Sequence, residues 1–160
     1  MENSNLSLEL LREVRASPYA PQVDAILKAA RGDIEPDFLG FLEPYAALSR
    51  IIPKGRTILD LGCGYAFQSW YFREHRSYVG VDVSPKTLHL SNSEFFQMRI
   101  DEFVEKYAHL HQKNSFVFCN YVPGDNAHVR AAFLDIFMFY PQFGDKPDID
   151  KLVNWNKSAS

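Results

Sequence analysis

Cysteine is scarce in this chain: Cys63 and Cys119 are the only two, too few for a disulfide scaffold. No Cys or His falls at zinc-finger spacing, which argues against a structural metal. Basic runs longer than a pair or so are missing as well. Seventeen Lys and Arg stand against twenty Asp and Glu, a formal charge of -3, so the electrostatic footprint of a nucleic-acid or anionic-membrane binder is lacking. No stretch approaches the roughly 18 uninterrupted apolar residues that a membrane span requires. The opening Met1-Glu2-Asn3-Ser4-Asn5 carries an acid and no basic leader. These absences point to a soluble, cytoplasmic protein without nucleic-acid or membrane partners. Internal repeats and low-complexity segments are also lacking.

What remains is a chain of 160 residues, 46% hydrophobic and 23% charged, a globular balance at the size of one domain. Residues 1–52 carry helical spacing. Leu8, Leu11 and Val14 or Arg15 repeat after Ser7, a candidate N-cap, and the pattern stops at Ser17-Pro18. Pro21 suits a first helical turn, Val23, Ile26, Leu27 and Ala30 share a face, and Gly32 closes that helix. A third helical segment runs from Pro36 to Ile52, with a kink expected at Pro44.

After Pro53-Lys54-Gly55 the character changes. Thr57 to Leu61 is the short, nearly continuous apolar run of a parallel strand buried on both faces. A helix is expected from Ala66 to about His75, then strands at Ser77–Asp82, Glu94–Met98, Ser115–Asn120 and Asp135–Tyr140, with a helix over Ile100–His111 whose core face is Phe103, Val104, Tyr107 and Leu110. Strands alternating with helices imply an α/β fold built from right-handed parallel crossovers. The tail from Lys157 should fray.

Chemistry concentrates in Leu59-Asp60-Leu61-Gly62-Cys63-Gly64-Tyr65-Ala66, with Asp82 eighteen residues past Gly64. Two glycines after a buried strand permit a sharp turn and close approach of a ligand. An acid ending the second strand is placed to accept hydrogen bonds from ribose hydroxyls. The dinucleotide pattern G-x-G-x-x-G fails, because Phe67 occupies the third glycine's place. A carboxylate at Asp60 would repel a pyrophosphate and suits a cationic ligand.

The segment resembles the first motif of the class I S-adenosylmethionine-dependent methyltransferases, on Asp60, Gly62 and Gly64 with Asp82 as the ribose acid. The resemblance spans about Thr57 to Tyr140, half the chain. It implies a three-layer αβα Rossmann-like sandwich with parallel sheet order 3-2-1-4-5, capped by the N-terminal helices. One domain would then comprise a helical cap (1–52), an S-adenosylmethionine-binding core (57–140) and a tail (141–160). It also implies S-adenosyl-L-methionine as cofactor, held by Asp60, Gly62, Cys63, Gly64, Asp82, Val83, Arg99, Ile100 and Asn120. The acid expected near the adenine amino group is displaced to Asp101 or missing, so backbone around Arg99 and Ile100 is expected to meet adenine. Cys119-Asn120-Tyr121-Val122-Pro123 is similar in place, though not in order, to the Asn-Pro-Pro-Tyr element of amino-methylating members.

The implied reaction is methyl transfer to an unidentified acceptor. Tyr121, Asp125 and His128 follow the fourth strand, where an acceptor would meet the methyl group, and are the catalytic candidates. Cys63 reads as a small loop residue rather than a nucleophile, and the histidines His75, His89, His109, His111 and His128 as solvated groups without metal spacing. The opposing reading is a non-catalytic methyltransferase-like module that holds the nucleoside or a protein partner. Only 19 residues follow Pro141, too few for the family's usual antiparallel sixth and seventh strands. The exposed strand edge is therefore expected to be covered by a homodimer, or else by the chain's own tail, where Ile149, Leu152, Val153 and Trp155 could form the apolar face of a short helix.

Overall fold

The structure, a computed structural model, describes residues 2–30, 42–84, 86–112, 115–119, 127–133 and 138–139. Four parallel strands, β1 (Thr57–Leu61), β2 (Ser77–Asp82), β3 (Ser93–Gln97) and β4 (Ser115–Cys119), lie side by side in the order β3-β2-β1-β4. Beyond β4 the ladder continues, among the described residues, through β5 (Met138–Phe139), paired as Val117↔Met138 and Phe118↔Phe139. Four full strands thus follow the order 3-2-1-4, and where the expected order 3-2-1-4-5 places a full fifth strand the described residues give a two-residue β5. Residues 134–137 and Tyr140, the rest of the expected fifth strand, lie outside the described residues.

The apolar runs of β1 and β4 follow from burial on both faces. Ile58, Tyr78, Phe116 and Phe118 point to one side, where Tyr45, Leu48 and Phe72 close over them. Leu59, Leu61, Val79, Val81, Val117 and Cys119 point to the other and meet Phe103 and Ala108 together with Val129 and Phe133. On the first side α3 (Leu42–Ser49) supplies Tyr45 and Leu48, and Phe72 comes from the turn Phe67–Phe72; on the second α4 (Ile100–Tyr107) supplies Phe103 and α5 (Ala127–Ala132) Val129, with Ala108 and Phe133 directly after those helices. The edge strand β3 has no fully buried residue, which is why its pattern of apolar residues is the weakest.

Two helices at the amino end, α1 (Glu2–Arg15) and α2 (Ala20–Ala29), pack Leu10, Val14, Val23 and Ile26 on Phe67, Trp70, Leu88 and Leu90. The link between β2 and β3 contains no helix among its described residues and is shorter than the dozen or so residues a parallel crossover ordinarily takes. The amino-terminal helices supply the cover that a crossover helix would have given. Gln22 fastens them to this link, donating from Nε2 to the His89 carbonyl at 2.9 Å and accepting from the His89 N–H at 2.7 Å. Tyr19 accepts from the Ser91 N–H at 3.0 Å.

Several expected helix details shift. Helix α1 starts at Glu2, so Ser7 is no cap; Ser7, Leu10 and Val14 form its buried stripe, while Leu8 is 58% exposed. Spacings 7-10-14 and 8-11-14 are equally helical, and tertiary packing selected the first. Helix α2 ends at Ala29, before Gly32, which lies outside the described residues. Pro44 sits in the first turn of α3, where its missing N–H breaks no bond, so the expected kink is unnecessary. Phe67–Phe72 is a 3₁₀ turn rather than an α-helix, with five of its six residues buried. Past Tyr107 the chain tightens to a 3₁₀ turn, Ala108–His111, and the larger angular step swings Leu110 off the core face to 65% exposure.

Candidate functional site

Three residues in the left-handed region shape the loop after β1: Gly62 at φ 82°, Gly64 at φ 58° and Ala66 at φ 60°. A Cβ on Gly64 would meet nothing within 4 Å, so the backbone angle, not space, calls for glycine there. The loop is drawn onto β2 by bonds from Gly62 N–H (2.7 Å) and Cys63 N–H (3.2 Å) to the Val81 carbonyl.

Asp82 ends β2 and holds the three strand ends together. Its Oδ2 accepts the Gly64 N–H at 2.9 Å, and its Oδ1 accepts both the N–H and the hydroxyl of Ser84 at 2.9 Å. Its carbonyl accepts the Met98 N–H at 3.1 Å, just past β3. Beside it opens a cavity of about 190 Å³, lined by Cys63, Asp82, Ser84, Thr87, Phe95 and Gln97 with Phe96. Gly80 permits its floor, since a Cβ there would lie 2.6 Å from the Phe95 ring and 2.8 Å from Cys63 Sγ.

Asp60 is placed differently. Its carboxylate is fully buried and accepts from Tyr45 Oη at 3.1 Å, from Gln68 Nε2 at 2.9 Å and from the Tyr78 hydroxyl. Burial pushes its carboxyl up from 3.8 to about 6 against the pull of those three donors, and the charge of Asp82 adds to the rise. Burial, with the neighbouring Asp60, also drives both tyrosine hydroxyls far above their ordinary range. Gln68 donates in addition to the Cys63 carbonyl at 2.8 Å, tying the network to the glycine loop. Asp60 is not among the residues lining the cavity. Its expected meeting with a cationic ligand end finds no open face in this arrangement.

The structure thus brings Gly62, Cys63, Gly64 and Asp82 together at the carboxyl ends of β1 and β2. Val83 follows at 64% exposure. Arg99 pairs with Asp101 at 3.1 Å and precedes α4, and Ile100 packs against the Leu59 and Val81 face. Asn120, Tyr121 and Asp125 lie outside the described residues, as does the side chain of His128, whose backbone belongs to α5. Cys63 and Cys119 are buried thiols in no disulfide, and they belong to opposite faces of the sheet. Burial raises the Cys63 thiol well above its usual value, which disfavours the nucleophilic thiolate.

Sequence reasoning missed Ser84, Thr87, Phe95, Phe96 and Gln97. One signal was available, because Asp-x-Ser favours an aspartate bonding the N–H two residues on, the bond Asp82 makes to Ser84. His75 was misread as solvated. It is 4% exposed, with Nε2 2.9 Å from the Ile52 carbonyl. Among the described residues no cluster of three or more His, Cys, Asp or Glu could hold a metal ion, and no helix is long and apolar enough to cross a membrane. Compared with known proteins, the chain matches no family model, no curated protein and no solved structure.

Proposed function

We propose that the chain is an S-adenosylmethionine-dependent methyltransferase whose three-layer, Rossmann-like core binds that nucleoside across the carboxyl ends of β1 and β2. The observation that carries this reading is the bond from Gly64 N–H to Asp82 Oδ2. It sets an acid at the end of the second strand against a left-handed glycine loop, beside a cavity where parallel sheets hold their ligands. The residues fit a nucleoside in part. A carboxylate has about four lone-pair sites, and Asp82 uses three, which leaves one for a ribose hydroxyl. Phe95 and Phe96 offer the cavity apolar surface.

When bound, S-adenosylmethionine supplies an electrophilic methyl on a sulfonium, so the chain's own contribution is chiefly to position. Asp82 orients the sugar, and the loop over Gly62–Gly64 lets the ligand approach the backbone. Asp60 has no part in this scheme beyond holding Tyr45, Tyr78 and Gln68 under the loop. That enclosure favours a second reading, a non-catalytic module that holds S-adenosylmethionine or S-adenosylhomocysteine without turning it over. A cytoplasmic location and a homodimer belong to the same proposal, and light scattering on the full chain tests the latter.

Titration calorimetry with S-adenosylhomocysteine tests the site. Asp82→Ala should lose about 1.5 to 3 kcal/mol of binding through its charge-assisted bonds. Unchanged affinity in that variant, or tighter binding of NAD by the wild type, removes the assignment. Methyl transfer to any acceptor then separates enzyme from module.

A further inference from the structure

The link from β2 to β3 has no helix among its described residues, so its order comes from groups outside it. Leu88 and Leu90 are buried among α1, α2, Phe67 and Trp70, and His89 between them is exposed. That alternation is strand-like, yet among the described residues no strand pairs with His89. The Gln22 side-chain amide stands in for one. It donates to the His89 carbonyl at 2.9 Å and accepts the His89 N–H at 2.7 Å, the double exchange that a hydrogen-bonded antiparallel pair makes. Tyr19, at the start of α2, adds a second fastening through Ser91 N–H at 3.0 Å.

From His89 the clamp reaches the cavity beside Asp82 by two routes. One runs along the backbone. Leu88 N–H donates to the Tyr65 carbonyl at 2.8 Å, and Tyr65 follows Gly64, whose own N–H is held by Asp82. Thr87, the residue before Leu88, lines the cavity. The other route runs through the imidazole ring, which stands edge-on to Phe95 with centroids 5.2 Å apart and planes at 80°. Its Nε2 lies 2.9 Å from the Ser93 carbonyl, at the start of β3. Phe95 is itself a wall of the cavity. One route therefore ends on the glycine loop and the other on the β3 wall.

We propose that Gln22 is a positioning residue for this cavity: by gripping His89 it seats Leu88 on the glycine loop and the His89 ring on Phe95, and so couples the docking of α2 to ligand binding. Gln22 is not among the residues lining the cavity, so it acts through the link. Such coupling is reciprocal, and a ligand that presses on Thr87 and Phe95 tightens the clamp in turn. The choice of a nucleoside as that ligand rests on the methyltransferase reading. The path from Gln22 to the cavity does not.

The experiment uses the full chain, with Gln22→Ala and with Gln22→Met, which keeps the bulk of the side chain and removes its hydrogen bonds. Amide exchange is read first without ligand. Both variants should speed exchange at Leu88 and Gly64 at least about threefold, as the loss of one or two modest hydrogen bonds implies. Leu59 in β1 and Val117 in β4 should keep their wild-type rates. Calorimetry should then show S-adenosylhomocysteine bound about three- to tenfold more weakly by both variants. Acceleration confined to His89 and Ser91 would reduce the clamp to a surface contact and overturn the proposal. So would equal acceleration at Leu59 and Val117, the mark of plain destabilisation, or full affinity in both variants. A wild type that fails to bind S-adenosylhomocysteine removes the methyltransferase reading alone, because exchange in the ligand-free chain decides the coupling.

Discussion

A buried carboxylate with no cation beside it among the described residues sits at the centre of this molecule, and its titration should be readable in stability. Asp60 has its pKa raised from 3.8 to about 6 in the folded chain, so between those values the native state keeps a proton that the unfolded chain releases. Its contribution is therefore full below about pH 4 and is lost as pH rises through about 6, a change on the order of 3 kcal/mol at the full shift. His75 acts in the opposite sense, because its lowered pKa removes stability as pH falls below its unfolded value. Comparison of wild type with Asp60→Asn cancels that second slope. Urea unfolding from pH 4 to 7 should show the wild type losing stability relative to the variant as pH rises. Parallel profiles would mean that Asp60 stays ionised throughout. Gly80 is the second residue-scale case. Gly80→Ala should cost about 1 to 3 kcal/mol by overpacking, since its Cβ would lie 2.6 Å from Phe95. Phe95→Leu in the same chain should recover part of the loss, and a double-mutant cycle without coupling would refute the clash.

Among the elements, the strands were legible and the helix ends were not, for one physical reason. A parallel strand covered on both faces is apolar along nearly its whole length, so Thr57–Leu61 and Ser115–Cys119 announce themselves. Which stripe of a helix is buried depends on what it docks against. Nothing local marks Ser7 as interior or Leu8 as exterior. The glycine loop and its acid were legible because their spacing encodes a backbone path, while the floor of the cavity comes from β3, a strand with no buried residue to betray its register. The enclosure of Asp60 was hidden because Tyr45, Gln68 and Tyr78 reach it from three elements other than its own strand, β1. The clamp between α2 and the β2–β3 link gives an element-scale prediction. Gln22→Ala removes both bonds to His89, each worth about 0.5 to 1.5 kcal/mol in such exposed surroundings at most. Amide exchange at His89 and Ser91 should accelerate while that of β1 and β4 stays unchanged. Unaltered exchange at His89 would show that the link orders itself without the helices.

At the scale of the whole molecule, the parallel sheet gathers the candidate site at one rim. The glycine loop and Asp82 stand together at the carboxyl ends of β1 and β2, where open parallel sheets hold their ligands. A ligand that binds only the native state adds to the stability of the whole chain, about 2.7 kcal/mol at a hundred times its Kd. Chemical unfolding with and without S-adenosylhomocysteine measures that gain, which should be present in the wild type and shrink in Asp82→Ala. A gain of the same size in Asp82→Ala would place the nucleoside away from this rim.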